Sequence, residues 1–105
     1  MDKFAELEKW FVVMETKGKV ANELKNSFNS DAYKIIKEKI KRGDNWQQIY
    51  DWVTKEYNIF ASSKNQLMVG VAFGKHTFGQ ILEKLNNISR LEEKEAKKGL
   101  PINHI

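Results

Sequence analysis

The sequence predicts an all-α fold, a compact single domain of five or six helices, and three observations support this. Apolar residues recur at steps of three and four along most of the chain, which lines them up on one face of successive helices. The single proline, Pro101, lies beyond the last of these patterns and so interrupts no helix. Hydrophobic residues make up 41% of the 105 residues, which is enough for one core. We therefore expect one helical domain over residues 1–99 and a C-terminal tail over 100–105.

Composition excludes several classes of protein. The chain has no cysteine, so it has neither a disulfide framework nor a thiolate metal site. No run of about 18 apolar residues is present, and acidic residues stand at the N-terminus where a signal peptide needs basic ones. We therefore expect a cytoplasmic protein that does not enter a membrane. A net charge of +4 permits an anionic partner without requiring one.

The first half of the chain is predicted to hold three helices, over residues 2–17, 19–28 and 31–42. Asp2 can cap the first of them, because its carboxylate accepts hydrogen bonds from the free N–H groups of the first turn. Gly18 is expected to end that helix in a left-handed conformation, and Asn29-Ser30 to separate the second helix from the third. Gly43 is expected to end the third helix.

Three pairs with capping-box spacing predict where the later helices begin: Asp44 with Gln47, Ser63 with Gln66, and Thr77 with Gln80. These pairs predict helices over 45–57, over 64–73 and from 78 onward. Asn58 is expected to end the helix over 45–57 in a left-handed conformation. The helix over 64–73 is apolar nearly all round, so we expect it to be central. Gly70 would let another helix approach it closely, and Gly74 would end it.

The stretch 44–76 resembles the helix-turn-helix units of small phage, plasmid and transposase-type DNA-binding proteins. The resemblance rests on six residues: Trp46, Ile49, Trp52, Tyr57, Ile59 and Ser62. It implies that the second helix enters the major groove, with Lys64, Asn65 and Gln66 at the bases. Ser62 and Ser63 would contact phosphate or serve as caps. The alternative is that Ser63 and Gln66 only cap a buried helix. The usual β-hairpin wing is not expected, because the pattern after Gly74 is helical.

Basic residues are concentrated on the helix predicted over 31–42, which carries a net charge of +3. Four of them are candidates for contact with the DNA backbone: Lys34, Lys37, Lys41 and Arg42. Each lysine that neutralises a phosphate releases counterions and contributes to affinity. The alternative is that these side chains form an ordinary solvated face.

No catalytic, cofactor or metal site is expected. The two histidines, His76 and His104, have no second histidine or carboxylate at metal-ligand spacing, and no phosphate-binding glycine loop is present. The sequence thus favours a non-enzymatic DNA-binding protein, a regulator or accessory factor of a phage or plasmid. The alternative function is a helical protein-protein interaction module or inhibitor that docks on a larger partner. Trp10, Val12 and Val13 would form its partner face or a homodimer face, because the two valines widen the apolar stripe of the first helix.

Overall fold

In a computed structural model the described residues form four α-helices. The structure describes residues 2–21 and 23–99, with side chains described at 2–17 and 29–96. The helices are α1 (Lys3–Ala21), α2 (Glu23–Lys41), α3 (Trp46–Ala61) and α4 (Val69–Gly99). The all-α prediction is confirmed, but four helices take the place of the predicted five or six. The predicted tail over 100–105 lies outside the described residues.

The first half of the chain holds two helices where three were predicted. Helix α1 continues through Gly18 to Ala21, and α2 runs without a break through Asn29-Ser30. The Asn29 side chain is buried and accepts a hydrogen bond from the Thr77 hydroxyl of α4. A residue that favours a turn locally is therefore held inside a helix by a partner far along the chain.

Helix α2 ends at Lys41, one residue earlier than predicted, and α3 begins at Trp46, one residue later than predicted. Gly43 has a φ of 97°, as a helix-ending glycine should, while the Asp44 N–H donates to the Lys39 carbonyl and the Gly43 N–H donates to the Ile40 carbonyl. These two bonds form a Schellman motif, which uses the Asp44 N–H to close α2. The capping box of α3 is therefore made by Asn45 with Gln48, and the predicted pair of Asp44 with Gln47 is wrong.

The predicted helix over 64–73 is not formed. Helix α3 passes Asn58 and ends at Ala61, a seven-residue connection follows over 62–68, and α4 begins at Val69 and continues through Gly74 and Thr77. Thr77 is thus buried inside a helix and does not cap one. The central element is α4, which contacts each of the other three helices.

Helices α3 and α4 form an antiparallel hairpin. At one end the Trp46 indole N–H donates to the Ser89 hydroxyl at 3.1 Å, and at the other the Phe60 ring stacks on Phe78. Helices α1 and α2 cover this hairpin, and Phe11 of α1 stacks on Tyr33 of α2 with ring centroids 4.5 Å apart. All four helices contribute to one core: Leu7, Phe11, Ala32, Tyr33, Ile36, Ile49, Val53, Phe78, Ile81, Leu85 and Ile88.

The close approach between α3 and α4 occurs at Gly74. A Cβ atom there would lie 2.5–2.6 Å from three atoms of the Phe60 ring, whereas a Cβ at Gly70 would meet nothing within 4 Å. The predicted close approach at Gly70 is therefore wrong, and Gly74 takes that role. Within the described residues, no helix combines the length and apolar character needed to cross a membrane.

Candidate interaction surfaces

The four residues predicted to contact a DNA backbone do not form one free basic face. Lys37 makes an ion pair with Glu15 of α1 at 3.3 Å, so part of its charge is already neutralised. Lys34 and Lys41 are exposed on α2. The exposed face of α2 also carries the acids Asp31 and Glu38, which makes the surface mixed rather than basic.

Arg42, the fourth of these residues, is held by a neighbouring carboxylate. Its Nε donates to Asp44 Oδ1 at 2.8 Å and its Nη2 donates to Oδ2 at 2.9 Å, a two-point contact. Those hydrogen bonds lower the pKa of the Asp44 carboxyl and raise the pKa of the Arg42 guanidinium. Asp44 occupies only two of the five guanidinium N–H donors, but its charge offsets part of the attraction that Arg42 would exert on a phosphate.

The residues predicted to contact bases lie in the α3–α4 connection and not at the start of a helix. The Gln66 side-chain nitrogen lies 2.8 Å from the Phe60 carbonyl, 2.8 Å from that of Ser63 and 3.3 Å from that of Ala61. This amide therefore closes the end of α3. Lys64 and Asn65 remain exposed.

The two predicted cap residues of that stretch make local bonds within the connection. The Ser62 hydroxyl donates to the Asn58 carbonyl at 2.6 Å, and the Ser63 hydroxyl accepts from the Asn65 N–H at 3.2 Å. Because the next helix begins only at Val69, the helix-turn-helix unit is not confirmed.

The predicted partner face on α1 is divided. Trp10 is partly buried against Tyr33, with ring centroids 5.8 Å apart, while Val12 and Val13 are exposed. Burial and, to a smaller extent, the nearby Glu15 charge together raise the pKa of the Tyr33 hydroxyl to about 12. Tyr33 is thus a neutral core residue at physiological pH.

A second apolar surface, which the sequence did not predict, lies where α3 meets α4. Ile59, Leu67, Met68 and Val69, here called the hairpin tip, have 53%, 100%, 58% and 56% of their surface exposed. The prediction that the 67–69 segment is central is therefore wrong. One sequence signal could have indicated this surface. The polar run 62–66 is as typical of a connection as of a helix start, and a connection there would leave the apolar residues that follow it exposed.

A cleft of about 250 Å³ lies between α2, α3 and α4. Seven residues line this acidic–aromatic cleft: Asp31, Ala32, Ile35, Trp52, Glu56, Phe60 and Phe78. Trp52 stands at 79° to Phe78 with centroids 5.5 Å apart, and Phe60 stacks on Phe78 at 15° and 5.8 Å. The rings therefore form two walls at nearly a right angle. No local pattern could predict the cleft, because its residues come from three helices.

In the part of the chain with described side chains, no three His, Asp or Glu residues are grouped so that they could hold a metal ion. His76 is exposed on α4.

Comparison with known proteins identifies no relative. No protein-family model, no curated protein and no solved structure matches this chain. The functional argument therefore rests on the surfaces described above.

Proposed function

We propose that this protein is a non-enzymatic helical interaction module that docks on a larger protein partner through the hairpin tip. The observation that carries the proposal is the exposure of Leu67, Met68 and Val69 in consecutive positions. Scattered exposed apolar residues are ordinary on a protein surface, whereas a contiguous group is typical of a binding site.

The composition around the hairpin tip resembles the centre of a protein interface. Between Tyr57 and Gly74 the only charged residue is Lys64. Interface centres are depleted of charged residues and enriched in methionine and other large apolar side chains. The basic residues Lys64 and Lys75 flank the exposed apolar group on either side along the chain.

We infer that the partner surface is an amphipathic helix with carboxylates beside its apolar face, because such a helix would complement an apolar group flanked by two lysines. Gly70 is exposed and a Cβ there would meet nothing within 4 Å, so a partner backbone can approach the first turn of α4 closely. Carboxylates on the partner would complement Lys64 and Lys75, and this complementarity orients the docking.

The Gln66 side chain supports this role because it holds the connection in place. Its hydrogen bonds to the end of α3 fix the residue immediately before Leu67. A preorganised surface loses less conformational entropy on binding than a mobile one.

The proposal is tested by placing a photo-crosslinking amino acid at position 67, identifying the crosslinked protein, and measuring its affinity for the purified chain by calorimetry. We expect Leu67→Asp/Met68→Asp to weaken binding roughly thirtyfold or more, as central interface residues do. Val12→Asp/Val13→Asp is the matched control, since it puts the same two charges on exposed valines of α1. If Val12→Asp/Val13→Asp abolished binding and the tip variant did not, the partner face would lie on α1 and the proposal would be wrong.

Duplex DNA binding is a second candidate function, favoured by the exposure of Lys34 and Lys41 on α2 and of Lys64 and Asn65 in the connection. Against it, two of the predicted backbone contacts are already paired with carboxylates, Lys37 with Glu15 and Arg42 with Asp44. If the function is DNA binding, anisotropy with random duplex DNA should show affinity that falls steeply with salt. Lys34→Glu/Lys41→Glu should then reduce the slope of log K against log salt by roughly 2. An unchanged slope would remove α2 from the contact surface, and no binding at low salt would exclude this function.

A further inference from the structure

The acidic–aromatic cleft combines the two features that proteins use to hold an organic cation. Its walls are the rings of Trp52, Phe60 and Phe78, and two carboxylates, Asp31 and Glu56, lie among its lining residues. The face of an aromatic ring carries partial negative charge and attracts a cation within about 6 Å, most strongly when the ring is an indole. Phe78 is only 5% exposed, so the rings that an incoming cation can contact are the partly exposed Trp52 and Phe60. These two rings stand steeply to each other, because Phe60 is nearly parallel to Phe78 and Phe78 stands at 79° to Trp52.

The two carboxylates are available for this purpose. Asp31 is exposed and Glu56 is half-buried, and neither makes an ion pair or a side-chain hydrogen bond with the described part of the chain. Elsewhere the protein does pair such groups, as Asp44 with Arg42 and Glu15 with Lys37. The two carboxylates of the cleft are therefore not tied to a cation of the described residues by direct contact.

One ammonium group of the protein itself already contacts the Trp52 ring. The Lys39 ammonium of α2 lies 4.8 Å from the centroid of the Trp52 ring. Asp31 and Glu56 together carry two negative charges against the one positive charge of Lys39, and both carboxylates line the cleft whereas Lys39 does not.

The size and chemistry of the cleft narrow the class of ligand. About 250 Å³ is slightly below the range of roughly 300–1,000 Å³ typical of small-molecule pockets, so the cleft suits a headgroup or a side chain and not a nucleotide. A bare metal ion would need roughly six oxygen ligands, which two carboxylates and three rings do not supply. A methylated ammonium group needs no hydrogen-bond acceptors, and its methyl groups can contact apolar walls.

We propose that the acidic–aromatic cleft binds a methylated ammonium group, carried either by a small molecule such as choline or by a methylated lysine side chain of another protein. The proposal does not depend on the hairpin tip. Substitutions in the hairpin tip should leave cation binding unchanged, so either proposal can be refuted without affecting the other.

The test is an NMR titration of the ¹⁵N-labelled protein with choline at constant ionic strength. The readout is the Trp52 indole N–H, assigned with a Trp52→Phe variant. We expect saturable shifts of this signal with a dissociation constant on the order of millimolar. The neutral carbon isostere of choline, dimethylbutanol, should bind much more weakly because it has the same shape without the charge.

Variants of the carboxylates make the test specific. Asp31→Asn/Glu56→Gln should weaken choline binding roughly tenfold, and because both side chains are at least partly solvent-exposed the variant should keep its fold. Glu38→Gln/Asp51→Asn is the matched control, since it neutralises one exposed carboxylate of α2 and one of α3, neither of which lines the cleft. Equal binding of choline and dimethylbutanol, or full choline affinity in the double variant, would overturn the proposal.

A trimethyllysine peptide distinguishes the two sources of the cation. Tighter binding of the peptide than of choline would identify a protein side chain as the ligand. Affinity no greater than that of choline would identify a small molecule. Either result is consistent with the cation site.

Discussion

Replacing Gly74 with alanine is expected to destabilise the fold by about 1–3 kcal/mol, although alanine is the better helix former. The new Cβ would lie 2.5–2.6 Å from three atoms of the Phe60 ring, closer than carbon atoms approach in proteins. The ring cannot move away freely, since it stacks on Phe78 with centroids 5.8 Å apart. Either α3 moves away from α4 or the stack of Phe60 on Phe78 is broken, and either change reduces the packing between the two helices. The measurement is the free energy of unfolding from urea denaturation.

Gly70→Ala is the control for the Gly74 variant. Gly70 lies in the same helix, and a Cβ there would meet nothing within 4 Å. This variant should be neutral or slightly stabilising, by at most about 1 kcal/mol. Equal stabilisation by both alanines would contradict the close packing of Phe60 against α4.

Thr77→Val is expected to cost about 1–3 kcal/mol of stability without creating a cavity. Thr77 and Asn29 are only 1% and 7% exposed, and the threonine hydroxyl donates to the Asn29 side chain. Valine has nearly the same shape, so the variant removes the donor and leaves the Asn29 oxygen buried without it. The cost of an unsatisfied buried polar group should then appear directly in the unfolding free energy.

The double variant Asn29→Leu/Thr77→Val tests the reason for that loss. Removing both polar partners removes the desolvation penalty, so the double variant should recover much of the stability that Thr77→Val loses. If Thr77→Val alone cost nothing, the hydrogen bond between α2 and α4 would not explain why α2 continues through Asn29.

Apolar periodicity predicted the helical class and much of the core correctly. Leu7 and Phe11 of α1, for example, and Ile81, Leu85 and Ile88 of α4 are spaced at three or four residues and are buried in the core. The helix breaks were predicted less well, because a local break signal can be overridden by a contact from elsewhere, as at Asn29 and Gly74. Asn29 stays inside α2, where its side chain accepts a hydrogen bond from Thr77. Gly74 stays inside α4, where the absence of a side chain lets the Phe60 ring pack closely.

The candidate sites were less predictable than the core. The number of lysines on α2 follows from the sequence, but whether a lysine is free depends on a partner such as Glu15, which lies on another helix. The exposure of Leu67 depends on where α4 begins. The capping-box spacing of Ser63 and Gln66 predicted a helix start at residue 64, whereas α4 begins at Val69. The acidic–aromatic cleft exists only after three helices have packed.

The three tryptophans lie at three different helix contacts. Trp10 packs against Tyr33 of α2, Trp46 packs against Phe4 of α1 and donates to Ser89 of α4, and Trp52 packs against Phe78 of α4. The chain therefore carries an intrinsic fluorescent reporter at each of these contacts. Variants that keep one indole at a time would show whether the helices separate in a single cooperative step or in sequence.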